Sequence, residues 1–209
     1  MIQEAAIAAP THPHLEVANA HFVTPRLLVG GDLDYDDDHA AAQLAELVAV
    51  GVTHVVDVRI EHNDEDFVLS LAPELVYLHH GVDDVGQRIP AAWFEVGVDF
   101  AMAALGGRPD GVVLTHCHMG INRGPSLGFA VLLHQGWDPV DALDAIRGAR
   151  PIAFVAYAED ALDWHHARRG STAEQLATDR RRVATWRKAN ELDLENVIRG
   201  VRIQEERGL

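Results

Sequence analysis

Four short apolar, partly β-branched runs, at residues 26–29, 53–58, 75–79 and 112–115, set the frame of this chain. Each is too short for a helix. Their apolar residues sit at consecutive rather than alternate positions, which is the pattern of strands covered on both faces. The first run is stopped by the glycine pair Gly30-Gly31. Helix-length segments with their own start and stop signals separate the runs. Residues 39–50 end at Gly51, and a helix opened by Pro90 in its first turn closes at Gly106-Gly107. Residues 124–135 stop at Gly136, and Asp138-Pro139 caps a further helix that ends before Pro151. Strands alternating with helices predict an α/β domain with a mainly parallel central sheet covered by helices.

The 209 residues accommodate one such domain plus an appendage. Residues 1–20, with Pro10, Pro13 and scattered histidines, read as a loose N-terminal arm, residues 21–169 as the domain, and residues 170–209 as a helical C-terminal extension. In the extension, Ser171-Thr172-Ala173-Glu174 fits a capping box, and Leu194, Val197, Ile198 and Val201 share one helix face. Such a face serves as a packing extension or as the surface of a homodimer.

Lysine and arginine number 17 against 32 aspartates and glutamates, a formal charge of −15. That excludes a nucleic-acid binder, which needs a basic footprint. The acidic loop Asp32 to Asp38 lacks the glycine and the twelfth-position glutamate of a calcium loop and is read as solvated and helix-capping. Glu4 stands where a secretory leader would be basic, and no run is long enough to span a membrane. A single cysteine excludes an intrachain disulfide, so the expected location is cytoplasmic.

That cysteine carries the chemistry. Residues 112–126 place Cys117 at the C-terminal edge of a buried strand and at the mouth of a helix, where ligands bind in open α/β sheets. The backbone N–H groups of residues 118–123 turn into the helix and form an anion nest, with the positive end of the helix dipole behind it. The same field favours negative charge on the sulfur. Arg123 returns after five residues, so its planar fork can grip two phosphate oxygens above the sulfur.

His116-Cys117, five residues and Arg123 resemble the signature of the cysteine-dependent protein phosphatases, with Gly120 at the third position after the cysteine. From about residue 21 to residue 166 the order of elements resembles a small dual-specificity phosphatase. Val23-Thr24-Pro25-Arg26-Leu27 resembles its opening strand, residues 51–58 its early buried strand, and Arg150-Pro151 the pair ahead of its last helix. The resemblance implies hydrolysis of phosphomonoesters through a phosphocysteine intermediate, with no cofactor. Cys117 would be the nucleophile, while Arg123 and the loop residues His118, Met119, Gly120, Ile121 and Asn122 would bind phosphate. The proton donor in that family is an aspartate ten residues before a phenylalanine. Asp84 stands ten before Phe94, with Asp83 as the alternative. His116 would be a buried, hydrogen-bonded residue orienting the loop, and His118 would point from the rim toward substrate. No histidine or cysteine spacing matches a structural metal site.

Two positions depart from the pattern. Gly124 replaces the Ser or Thr whose hydroxyl assists departure of the sulfur, which predicts a slow second step that Gly124→Ser would speed. Ser126, two residues on, would face about 200° away on a helix. Val155-Ala156 replaces the Pro-Asn pair that braces the cradle, so bracing must come from elsewhere. The expected substrates are phosphotyrosine, phosphoserine or phosphothreonine proteins, since an acidic body repels polyanions. A phosphoinositide or small-molecule phosphatase, or a phosphate-binding pseudophosphatase with impaired turnover, are the alternatives.

Overall fold

The computed structural model describes residues 13–107 and 109–206. In chain order the elements are β1 (Ala20–Thr24), β2 (Leu27–Gly30), α1 (Asp37–Ala49), β3 (His54–Arg59), α2 (Glu65–Leu71), β4 (Val76–Val82), α3 (Ala91–Gly107), β5 (Val113–His116), α4 (Arg123–His134), α5 (Pro139–Ala149), α6 (Ala158–Arg169), α7 (Ala173–Ala189) and α8 (Leu194–Glu206). The strands form one sheet in the order β1-β2-β5-β3-β4. β1 is an antiparallel edge strand, and the other pairings are parallel.

The consecutive apolar runs are explained by layers on both faces. Leu27, Val56, Val58 and Val113 pack into the core formed with α3 to α7, while their neighbours Leu28, Val55 and Leu114 join the core under α1 and α2. Successive strand residues point to opposite faces, so both must be apolar. β5 lies at the centre with β2 and β3 beside it. The register sets Gly30 and Asp57 opposite His116, so the loop after β5 emerges between the ends of two other strands.

The acidic loop caps α1 as expected, through Asp36, which accepts the His39 N–H, although the helix begins at Asp37 rather than His39, and Asp138 with Pro139 behind it caps α5. The capping box sits one residue later than the sequence suggested. Thr172 accepts from Gln175, whose side chain returns to the Thr172 N–H, so Ser171 and Glu174 are not the pair. α2 was not anticipated, because its seven residues are too few to show a helical period.

The arm is not loose where it is described. Leu15 and Ala18 are buried in the core under α1, and the Glu46 carboxylate accepts the N–H groups of Glu16, Val17 and Ala18 at 2.7–2.9 Å. Three charge-assisted bonds anchor a stretch without periodicity, which hydropathy alone does not reveal. Residues 1–12 of the expected arm and residues 207–209 of the expected extension lie outside the described residues. α7 buries Val183 and Trp186 in the main core, as a packing extension does. No helix among the described residues is long and apolar enough to cross a membrane.

Candidate active site

Cys117 directly follows β5 and is 2% exposed, its N–H on the Gly30 carbonyl at 3.3 Å. The next four carbonyls are all tied away from it. That of His118 accepts the Asp32 N–H at 2.9 Å, that of Met119 accepts from Arg150 Nη2 and that of Gly120 from Arg150 Nε, both at 2.8 Å. The Ile121 carbonyl accepts the N–H groups of Phe154 and Val155 at 2.8 and 3.2 Å. In a trans peptide the N–H points opposite to the carbonyl. The N–H groups of Met119, Gly120, Ile121 and Asn122 are therefore all turned to the other side of the loop, which makes an anion nest.

Gly120 permits the turn at φ +62°, and a Cβ there would lie 2.5 Å from the Gly30 carbonyl carbon. Arg150, 1% exposed, is the main clamp. Besides the two loop carbonyls it binds the Asn19 side-chain oxygen at 2.9 Å and His21 Nδ1 at 3.0 Å. Burial and the neighbouring Arg150 hold His21 down to about 4, so it stays neutral and its ring nitrogen can accept. Burial also lowers Arg150 itself to about 10, still well above neutrality.

Arg123 opens α4 and is 5% exposed. Its two terminal nitrogens are held end-on by the Glu61 carboxylate at 2.6 and 2.7 Å, and Nη1 also reaches the Val82 carbonyl at 3.0 Å. That leaves the side-on edge. Nε is buried without a hydrogen-bond partner, with Asp84 Oδ2 at 3.6 Å. The ion pair with Arg123 draws Glu61 down to about 2, so the contact is lost only as pH falls through that value. Burial opposes the charge on Arg123, but the bonds to Glu61 outweigh it and hold the guanidinium above its ordinary range.

Asp84 lies on the loop after β4. Its Oδ1 accepts the Tyr157 hydroxyl at 2.8 Å, and Asn122 Nδ2 is 3.4 Å from both oxygens. The structure thus brings Cys117, residues 118–122, Arg123 and Asp84 together. Asp83 meets Gln87 Nε2 through its main-chain carbonyl.

The histidines differ from expectation. His116 is buried, and burial lowers its pKa and keeps it neutral, but its Nδ1 has no hydrogen-bond partner and Nε2 is 3.9 Å from Asp57 Oδ1. Arg59 occupies that carboxylate, binding both Asp57 oxygens at 2.8–2.9 Å together with Asp32 and Asp64. His118 is tied through Nδ1 to Asp32 at 2.7 Å. Glu61, Arg150 as a clamp, Asn19 and Tyr157 escaped the sequence reading. Each acts across 30 to 131 residues of chain, and no local pattern marks such partners.

At Gly124 the structure adds a steric constraint to the missing hydroxyl. A Cβ there would lie 3.0 Å from His116 Cα and C and 3.1 Å from the Cys117 nitrogen, all backbone atoms of the strand end. Ser126 Oγ is engaged by the Tyr157 N–H at 3.2 Å. Gly124→Ser should therefore cost about 1–3 kcal/mol, lowering Tm by roughly 2–10 °C, with no gain in turnover. Calorimetry and steady-state rates check this, and a faster, equally stable variant would restore the expectation from sequence.

No protein-family model matches the chain. Solved structures do resemble it. Human DUSP28 superposes with a TM-score of 0.60 at 23% identity, covering 72% of this chain and 98% of that one. PTPMT1 in complex with PI(5)P gives 0.60 at 18% identity, over 71% of this chain and 96% of that one. DUSP15 gives 0.57 at 20% identity, over 79% and 95%. With the strand order, the covered sheet and the loop between β5 and α4 already in place, these likenesses establish that the chain has the fold of the small dual-specificity phosphatases.

Proposed function

We propose that this protein is a cysteine-dependent phosphatase that hydrolyses phosphomonoesters on proteins. The observation that carries the reading is the set of four outward-tied carbonyls at residues 118–121, which turns four amides into one nest beside Cys117 and the open edge of Arg123. Cys117 Sγ attacks phosphorus in line, and the bond from phosphorus to the leaving oxygen breaks. Asp84, as the acid, gives that oxygen a proton. Arg123 Nε and Nη2 and the loop amides hold the equatorial oxygens, whose charge they stabilise through the transition state. Water then attacks the phosphocysteine, Asp84 takes its proton, the P–S bond breaks, and phosphate leaves with the thiolate restored.

The acidic body, with a formal charge of −15, disfavours polyanionic substrates and supports a phosphoprotein over a phosphoinositide. PTPMT1, of the same fold, is nonetheless bound to PI(5)P in its complex, which makes a phosphoinositide the second reading. Aryl phosphate hydrolysis that is abolished by iodoacetate and protected by inorganic phosphate is the expected result, with phosphopeptides preferred over PI(5)P vesicles. Phosphate protection without phosphate release would reduce the protein to a binding module. Preference for the vesicles would favour the second reading.

A further inference from the structure

The segment that joins α5 to α6 touches the candidate site at three points. The N–H groups of Phe154 and Val155 hold the Ile121 carbonyl, the Tyr157 N–H holds Ser126 Oγ in α4, and the Tyr157 hydroxyl holds Asp84. At its centre Val155 is fully buried and adopts φ +55°. A β-branched residue in the left-handed region costs on the order of 1–3 kcal/mol and persists only where its surroundings impose it.

Besides the Ala158 N–H, which donates to the Val155 carbonyl at 3.1 Å, α7 holds this segment from behind. Arg187 Nη2 donates to the carbonyl of Val155 and, at 3.1 Å, to that of Ala156. The guanidinium carbon lies 5.2 Å from the centre of the Phe154 ring. One side chain therefore grips three consecutive residues, two by their carbonyls and one by its ring. These include positions 155 and 156, where the sequence lacks the expected Pro-Asn brace. α7 is itself fixed at this end, with Trp186 buried and stacked under Arg147, whose Nε binds the Ala153 carbonyl at 2.8 Å.

We propose that Arg187 is a positioning residue for the phosphate-binding loop and for Asp84, so that the C-terminal helix α7 is a working part of the active site. The proposal rests on the reading of residues 117–123 as a phosphate cradle. Without Arg187 the Val155 carbonyl keeps only the Ala158 N–H at 3.1 Å, and the strained residue can relax toward negative φ. That relaxation withdraws the two donors from the Ile121 carbonyl, so the Asn122 amide is no longer forced into the nest. It also shifts Tyr157 away from Asp84.

The test compares Arg187→Met, which keeps bulk without donors, with Arg187→Lys, whose single ammonium cannot span two carbonyls and a ring. Arg182→Ala, which removes an α7 arginine bound to Asp138 on the surface, is the control. Expected for Arg187→Met are a Kd for inorganic phosphate raised about tenfold or more and a kcat/KM on aryl phosphates lowered at least as much, since small misplacements of a cradle are costly. The loss should be larger for phenyl phosphate than for an ester with an acidic leaving group, because the acid is displaced as well. Arg187→Lys should fall between, at about threefold or more, and Arg182→Ala should match the parent.

A folded Arg187→Met with parental phosphate affinity and leaving-group dependence overturns the proposal, whatever its Tm. Should that variant not fold, parental values in Arg187→Lys overturn it equally. A parent that binds phosphate but releases none from esters overturns the phosphatase reading alone, and phosphate affinity still reports the clamp. A parent that binds no phosphate overturns both.

Discussion

Replacing Cys117 with serine should leave a folded protein that binds inorganic phosphate with parental affinity and hydrolyses aryl phosphates at least about 10⁴-fold more slowly. The side chain is 2% exposed at the end of β5, and serine is no larger than cysteine, so the loop has no steric reason to move. The orientation of the nest does not depend on residue 117, because the carbonyls of residues 118–121 are held by Asp32, Arg150, Phe154 and Val155. Binding therefore survives. Chemistry does not, because a serine hydroxyl stays protonated at neutral pH and needs a base to become a nucleophile. The nearby carboxylate, Asp84, is required in the first step as an acid. Phosphate titration by calorimetry and initial rates check both halves. A serine variant within tenfold of the parent would mean that water attacks phosphorus directly and that Cys117 is only part of the core.

Asp84→Asn should lower kcat on phenyl or alkyl phosphates by about 10² or more, and much less on an ester with a very acidic leaving group. A poor leaving group needs a proton as its bond to phosphorus breaks, whereas an acidic phenolate departs without one. Asparagine keeps the size of the side chain and can still accept from Tyr157 through its amide oxygen, so the loop should hold its place. It cannot supply the proton. The Asp84 carboxylate stands 3.6 Å from Arg123 Nε, beside the edge left open by Glu61, while Asp83→Asn should match the parent. Rates on a series of aryl phosphates of graded acidity read the difference as a slope. Equal losses on every ester would make Asp84 a purely structural partner of Tyr157, and the graded loss appearing in Asp83→Asn would move the assignment by one residue.

The likeness to DUSP28 and DUSP15 rests on the fold, and the portion of this chain that those structures leave uncovered is a quarter or so of its length. α7 packs its Val183 and Trp186 into the main core, and it delivers Arg187 to the segment behind the loop. This gives the helix a mechanical reason to be present whatever else it contacts.

From the sequence alone came the covered parallel sheet, a capping loop over Asp32 to Asp38, the cap at Asp138, and the placement of Cys117 between a strand end and a helix start with Arg123 six positions on. These are local properties. Strand runs, caps and the loop from Cys117 to Arg123 are governed by backbone dihedrals, side-chain periodicity and a few neighbouring hydrogen bonds, which a short stretch of chain contains within itself. Asp84 was reached through the resemblance, as the aspartate ten residues before Phe94, and the fold brings it near Asn122 and Arg123. Only the tertiary structure decided which residues hold the loop. Glu61 meets Arg123 across 62 positions, Arg150 meets Asn19 across 131, and Arg187 meets Val155 across 32. A charged side chain shows no preference in sequence for one distant partner over another, because the chain's topology, not its propensity, brings them together. The same is true of Gly124: its missing hydroxyl was visible in the sequence, but the tight fit there, with a Cβ 3.0 Å from the backbone of His116, exists only once α4 has packed against the end of β5.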